Sequence, residues 1–177
     1  MATPTKGRKK VARKKVLRRS GKNPDIHCML IPTNRELLLI PTSVMAEVLE
    51  FQQPAMMDSA PPWMLGQVEW EGRQVPTFSF SALINGTENT EIPKRSKIII
   101  LKSLSDSGRV PYIGLLLGDL PRPVIVKDGD LQETGDEKKA MGVYRRVNFG
   151  DEEAIIPDLD RLTHLVTHAA FGALPIT

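Results

Sequence analysis

The stretch PPWMLGQVEWEGRQVPTFSFSALING, residues 61–86, decides the fold class, because several independent local signals in it specify one arrangement. The run QVEW alternates polar and apolar side chains, and the run QVPTFSF alternates again after the turn EGR. Two alternating runs joined by a short turn that contains glycine are typical of a β-hairpin. The segment SALING then predicts a short helix, with Ser79 or Ser81 as its N-cap and Gly86 at its end.

Short apolar runs continue on both sides of this hairpin. Residues 42–51 fit a helical face through Val44, Met45, Val48 and Leu49, but they also fit a strand face. We favour a strand there, because the flanking segments are strands and Pro41 comes directly before. The segments 52–62 and 129–139 are expected to be loops. Further strands are predicted at residues 26–31, 36–40, 97–102, 110–117, 124–126, 143–149 and 154–156.

The last element is a predicted helix at about residues 158–171. Asp158 is a good N-cap, Leu162 and Val166 recur at helical spacing, and Gly172 would end the helix. Many short strands with one terminal helix predict a mainly β protein, built as small barrels or a sandwich. The polar segment 87–96 is expected to separate two halves.

Length and composition are those of a globular protein of 177 residues, of which 41% are hydrophobic. No run approaches the roughly 20 apolar residues that cross a bilayer, and no apolar region of a secretory signal follows the first charges. The single cysteine, Cys28, cannot form an internal disulfide, which fits a reducing compartment. We therefore expect a cytoplasmic protein.

Charge divides the chain into a basic tail and an acidic body. Ten of the 24 basic residues and none of the 21 acidic residues lie in residues 1–22, so the remainder carries a net formal charge of −7. This tail, residues 1–24, is expected to be disordered when free. It is either a solvated extension or an arm that binds nucleic acid, an anionic membrane or an acidic partner. The expected contacts of such an arm are Lys9, Lys10, Arg13, Lys14, Lys15, Arg18 and Arg19.

Residue patterns typical of catalysis are scarce. The sequence has no glycine-rich phosphate loop, nucleophile elbow or zinc-ribbon cysteine pair. His164 and His168 are four apart on the predicted helix, but the glutamate pattern of a zinc helix is missing. Helix capping explains Asp158 and Asp160 more simply than acid–base catalysis does. We therefore predict no enzyme, no metal and no cofactor.

An ordered set of short segments resembles the CheW-like family of bacterial chemotaxis coupling proteins. The set begins with LIP at residues 39–41, MAEV at 45–48 and WMLG at 63–66, and it continues through YIGLLLGDLPRPV and IIPDLDRL. The resemblance spans about residues 26–170. The segment GQVEWEGRQVPTFSF is most similar to the corresponding segment in the coupling proteins of type IV pilus systems, which serve twitching motility.

The resemblance implies a single domain at residues 25–172 made of two SH3-like, five-stranded β-barrel lobes with a groove between them. Lobe one would cover about residues 26–88 and lobe two about residues 95–157. It also implies a non-catalytic adaptor that couples the cytoplasmic tip of a methyl-accepting chemoreceptor to the regulatory domain of a CheA-like histidine kinase.

The resemblance also implies which residues bind partners. Met45, Glu47, Val48 and Gly66 match positions on or near the kinase-facing surface of the family, although core packing is an alternative for Met45 and Val48. Glu71 stands where many relatives have arginine, and such a charge reversal changes attraction at an interface. Ser79 stands where relatives often have aspartate. These departures suggest a different partner set or an auxiliary adaptor. The residues expected to bind the kinase or receptor are Met45, Glu47, Val48, Gly66 and Glu71.

Overall fold

Two β-sheets and two helices form the folded part of the chain. The structure is a computed structural model that describes residues 23–86, 92–104, 109–135 and 140–172. The basic segment 1–22 lies outside these residues. The strands are β1 (Ile26–Pro32), β2 (Leu37–Pro41), β3 (Met45–Glu50), β4 (Met64–Trp70), β5 (Arg73–Phe78), β6 (Lys97–Lys102), β7 (Tyr112–Leu117), β8 (Arg122–Val126), β9 (Leu131–Glu133), β10 (Val143–Phe149) and β11 (Glu152–Pro157), and the helices are α1 (Phe80–Asn85) and α2 (Leu159–Phe171).

Each sheet takes strands from both halves of the chain. The first sheet has the order β8-β1-β2-β11-β10-β9 and the second β3-β6-β7-β5-β4. The sheets therefore do not follow two lobes that are consecutive in sequence. Parallel pairs, β2 with β11 and β5 with β7, join segments far apart in the chain, and no hairpin can make such a pair.

The fold class predicted from the sequence is confirmed: the described residues are mainly β, in two sheets, with one C-terminal helix. The strand count differs in one place, because the first sheet has six strands instead of five. The extra strand, β9, lies in the segment expected to be a loop. Strand β9 has three residues, and only Leu131 is partly buried. The strand is therefore too short and too exposed to show an alternation of apolar and polar residues in the sequence.

The main hydrophobic core lies between the two sheets. Ile31 and Leu38 from the first sheet meet Phe78 and Ile99 from the second, and Val166 of α2 joins them. Strand β6 supplies this core with Ile99 and Leu101, while Ile98 and Ile100 point into a smaller cluster inside the second sheet. Strand β6 is therefore buried on both faces.

A hydrogen-bond network around Glu36 joins the two sheets. The carboxylate accepts hydrogen bonds from the Thr33 hydroxyl at 2.9 Å, from the Asn85 amide at 2.8 Å and from the Ser81 hydroxyl. Thr33 lies in the β1–β2 turn, whereas Ser81 and Asn85 belong to α1. Glu36 thus holds the turn of the first sheet against the helix that follows the second.

Candidate partner-binding surface

Strand β3 is one edge of the second sheet and carries three of the residues predicted to bind partners. It pairs with β6 only, among the described strands. Met45 and Val48 are half-buried and pack against the main core, whereas Ala46 and Glu47 are exposed. A β-bulge lies between Met45 and Glu47. The strand thus presents polar and small side chains to solvent along an unpaired backbone edge.

Glu47 is attached to the other edge of the same sheet. Its carboxylate accepts a hydrogen bond of 2.7 Å from the indole Nε1–H of Trp70, at the end of β4. Trp70 in turn packs edge-to-face against Tyr112, with ring centroids 4.8 Å apart and an interplanar angle of 71°. The Cζ atom of Arg73 lies 6.0 Å from the Tyr112 ring centroid. We call these four residues, Glu47, Trp70, Arg73 and Tyr112, the Trp70 cluster.

Glu71 lies in the β4–β5 turn, directly after Trp70. Its φ is 48°, and that of Gly72 is 70°, so both turn residues adopt positive φ as a type I′ hairpin turn requires. The Glu71 side chain is exposed. The structure therefore places its negative charge at the tip of the hairpin, beside the Trp70 cluster, where a partner can reach it.

Gly66 is buried inside the same sheet rather than exposed on its surface. Its φ is 129°, and an added Cβ would lie 2.1 Å from the carbonyl oxygen of Ala55. Ala55 and Gln67 exchange two backbone hydrogen bonds of 2.7 and 2.9 Å, which attach the 52–62 loop to β4. The close approach of the loop and the positive φ are the structural reasons for glycine here.

Ser79 is the N-cap of α1, one of the two N-caps that the sequence predicted. Its hydroxyl oxygen accepts a hydrogen bond from the backbone N–H of Ala82 at 3.2 Å, and the residue is only 2% exposed. Aspartate, the residue that the resemblance leads us to expect here, is also a good N-cap. The side chain at this position is therefore used for capping the helix.

Asp158 and Asp160 lie at the start of α2, whereas His164 and His168 lie further along the same helix. Among the described residues, no group of three or more histidine, cysteine, aspartate or glutamate side chains is placed to hold a metal ion. Asp158 caps α2 by accepting a 2.9 Å hydrogen bond from the N–H of Arg161, as predicted. His164 and His168 are exposed. In the described part of the chain, neither helix has the length and apolar character that a membrane span requires.

Sequence reasoning missed Arg73 and Tyr112 as members of the surface. Tyr112 opens β7, which lies two strands from β4 in the sheet, and it reaches Trp70 only because β5 pairs with both of these strands. The sequence signal for this cluster was weak and consisted of Tyr112 itself. A half-exposed tyrosine at the start of an otherwise buried strand is a candidate for a surface cluster.

Comparisons with known proteins agree with this architecture. The family model of the CheW-like domain matches residues 27–166. Among solved structures, the chain is similar to the scaffolding protein TtCheW from Thermoanaerobacter tengcongensis, with a TM-score of 0.64 and 16% sequence identity. The match covers 77% of this chain and 90% of that one. None of the curated proteins matches the chain.

Proposed function

Because the chain belongs to the CheW-like domain family, we propose that it is a non-catalytic adaptor that couples a chemoreceptor to a CheA-like histidine kinase. The observation that carries the kinase contact is the exposed edge strand β3. Its unpaired backbone edge and exposed Ala46 lie beside the half-buried Met45 and Val48. Small barrels are recognised through such edges, where a few buried aliphatic contacts dominate the affinity.

The five predicted contact residues have different parts in this proposal. Glu47 and Glu71 are exposed and touch the kinase directly. Met45 and Val48 combine core packing with a partly exposed surface that the partner covers. Gly66 acts indirectly, because it lets the 52–62 loop pack against β4 and so supports the Trp70 cluster.

Substitution of the exposed Ala46 by arginine tests the kinase contact. A purified full-length chain is titrated with the regulatory domain of the CheA-like kinase from the same organism at moderate salt. We expect Ala46→Arg to weaken binding by roughly tenfold or more, because a bulky cation then projects from the docking edge. The unfolding midpoint should change little, since surface substitutions usually cost under about 0.5 kcal/mol.

The matched control is His164→Arg, which adds the same side chain at an exposed position of α2. It should bind the kinase domain as the parent does. Equal losses in both variants, or no binding by the parent, would contradict the proposed contact. Gly66→Asp is a poor control, because the buried position makes any loss of binding inseparable from a loss of folding.

The charge of Glu71 is proposed to select among partners. An anion at the hairpin tip attracts a cationic surface and repels an acidic one, mainly through the association rate. Glu71→Arg should therefore weaken binding to a kinase domain whose facing surface is cationic and strengthen binding to one whose facing surface is acidic. Both changes should be larger at low salt. Unchanged relative affinity would show that the hairpin tip lies outside the interface.

A role in a type IV pilus array is the finer part of the proposal, and it is supported by the sequence resemblance of residues 66–80. Deletion of the gene should reduce twitching motility on a surface, and the full-length chain should restore it. Loss of swimming with normal twitching would instead assign the adaptor to a flagellar array.

The basic segment 1–22 favours a second candidate function, in which the tail binds an acidic partner, nucleic acid or an anionic membrane. The ten cations of the tail are the main candidates for binding polyanions, because the body carries a net charge of −7. Binding to duplex DNA or to phosphatidylserine vesicles should then fall steeply between about 50 and 200 mM salt. Kinase binding should survive deletion of residues 1–22.

A further inference from the structure

A small pocket lies where the end of α2 meets the second sheet. Its cavity volume is about 150 Å³. Strand β5, the segment before β7 and the last residue of α2 form its walls. The residues that matter for recognition are Arg73, Val75, Pro76, Arg109, Tyr112 and Phe171.

The walls of the pocket are apolar and aromatic. Val75 and Pro76 are buried, Tyr112 is half-buried, and the Phe171 ring is 52% exposed at the mouth. When an apolar group enters the cavity, the exposed ring beside it also loses contact with water. The apolar surface of the ring is then buried together with that of the inserted group. Such exposed apolar surface next to a concavity marks an interaction site.

The volume of the pocket indicates what kind of group can bind in it. A cavity of about 150 Å³ holds one benzene-sized group. Sites for free metabolites and cofactors usually measure about 300–1,000 Å³. One inserted side chain of a partner protein therefore fits better than a whole small molecule.

Two arginines at the pocket indicate that the partner carries negative charge. Arg73 and Arg109 are exposed, and within the described residues neither lies within ion-pair distance of a carboxylate. Five other cations of the body do have such carboxylate partners. The Cζ atom of Arg73 instead lies 6.0 Å from the centroid of the Tyr112 ring. Guanidinium groups with free donors bind carboxylates in a bidentate geometry.

We propose that this pocket docks an acidic peptide segment of a partner protein. One aromatic or large aliphatic side chain enters between Tyr112 and Phe171, and flanking carboxylates pair with Arg73 and Arg109. The docking does not depend on the kinase contact at β3, although Arg73 and Tyr112 connect the pocket to the Trp70 cluster.

The test measures fluorescence anisotropy with a fluorescein-labelled peptide, Glu-Glu-Phe-Glu-Glu, and the full-length chain at about 150 mM salt. A second peptide, Glu-Glu-Ser-Glu-Glu, has the same charge without the ring. The phenylalanine peptide should bind roughly tenfold more tightly or better, as expected for burial of one aromatic ring. Arg109→Glu and Phe171→Ala should each weaken its binding by roughly tenfold.

The control is Arg35→Glu, which reverses the same charge on the exposed β1–β2 turn of the other sheet. It should leave the affinity of the phenylalanine peptide unchanged. If the peptides instead bound to the basic segment 1–22, the two peptides would have equal affinities. Arg109→Glu would then weaken binding no more than Arg35→Glu does. Either of these results overturns the proposal. Shifts of the Tyr112 and Phe171 ring signals in the NMR spectrum on peptide addition would support it, and their absence at saturation would refute it.

Discussion

Substitution of Gly66 by alanine is expected to destabilise the protein far more than a glycine substitution in an open turn. The added Cβ would lie 2.1 Å from the Ala55 carbonyl oxygen, and this neighbour is backbone that cannot rotate away. The φ of 129° is itself strained for a residue with a Cβ, at about 1–3 kcal/mol. Displacement of the loop also weakens two backbone hydrogen bonds, each worth about 0.5–1.5 kcal/mol.

The expected total for Gly66→Ala is about 4 kcal/mol, from the middle of these ranges. For a chain of this size, that loss lowers the unfolding midpoint by roughly 8–16 °C. Urea denaturation followed by tryptophan fluorescence measures the free energy of unfolding directly. Trp63 and Trp70 flank the substituted strand position and report on its unfolding.

Gly72→Ala is the matched control. Gly72 has a φ of 70°, but an added Cβ there meets nothing within 4 Å, so only the backbone strain of about 1 kcal/mol applies. The difference between the two variants isolates the clash with the loop. If Gly66→Ala costs no more than Gly72→Ala, the packing of the 52–62 loop does not require glycine and this reasoning fails.

Four further predictions follow from the local contacts. Glu36→Ala should cost about 2 kcal/mol in urea denaturation, and Glu36→Gln less, because the amide oxygen still accepts hydrogen bonds in the network. Asp158→Ala should cost about 1 kcal/mol and Asp158→Asn much less, since asparagine also caps helices. A double-mutant cycle of Trp70→Phe and Glu47→Ala should give a coupling of about 0.5 kcal/mol, because the hydrogen bond is exposed; zero coupling would contradict the contact. Burial raises the pKa of the Cys28 thiol, so the folded state keeps its proton more tightly than the unfolded state does. Stability should therefore fall as pH rises above about 8.5, the ordinary thiol pKa, and Cys28→Ala should remove that part of the pH dependence.

Local signals predicted the secondary structure around residues 61–86 accurately. The β4–β5 hairpin, the Ser79 cap and the left-handed Gly86 at the end of α1 all follow from neighbouring residues. Strand β3 was the harder case, because its residues fit two periodicities. The strand interpretation is confirmed, and a short 3₁₀ turn at Thr42–Val44 precedes it.

The candidate site was only partly predictable. Family resemblance indicated Met45, Glu47 and Val48 on one strand and Glu71 on a turn, but it did not distinguish exposed residues from buried ones. The structure separates them: Glu47 and Glu71 are exposed, whereas Gly66 is buried against a loop. Arg73, Tyr112 and Phe171 meet at one pocket although they come from distant segments, so no local pattern indicated them.

Most elements of this protein, β9 excepted, follow from local sequence, because turns, caps and alternating burial depend on residues that are neighbours along the chain. The division of charge between the first 22 residues and the body is likewise visible in the sequence. Which strands share a sheet depends on long-range packing, since the β2–β11 and β5–β7 pairs join segments separated by many residues. The β5–β7 pair also brings Tyr112 near Trp70, and the Trp70–Glu47 hydrogen bond forms only when the two edges of the assembled sheet approach one another.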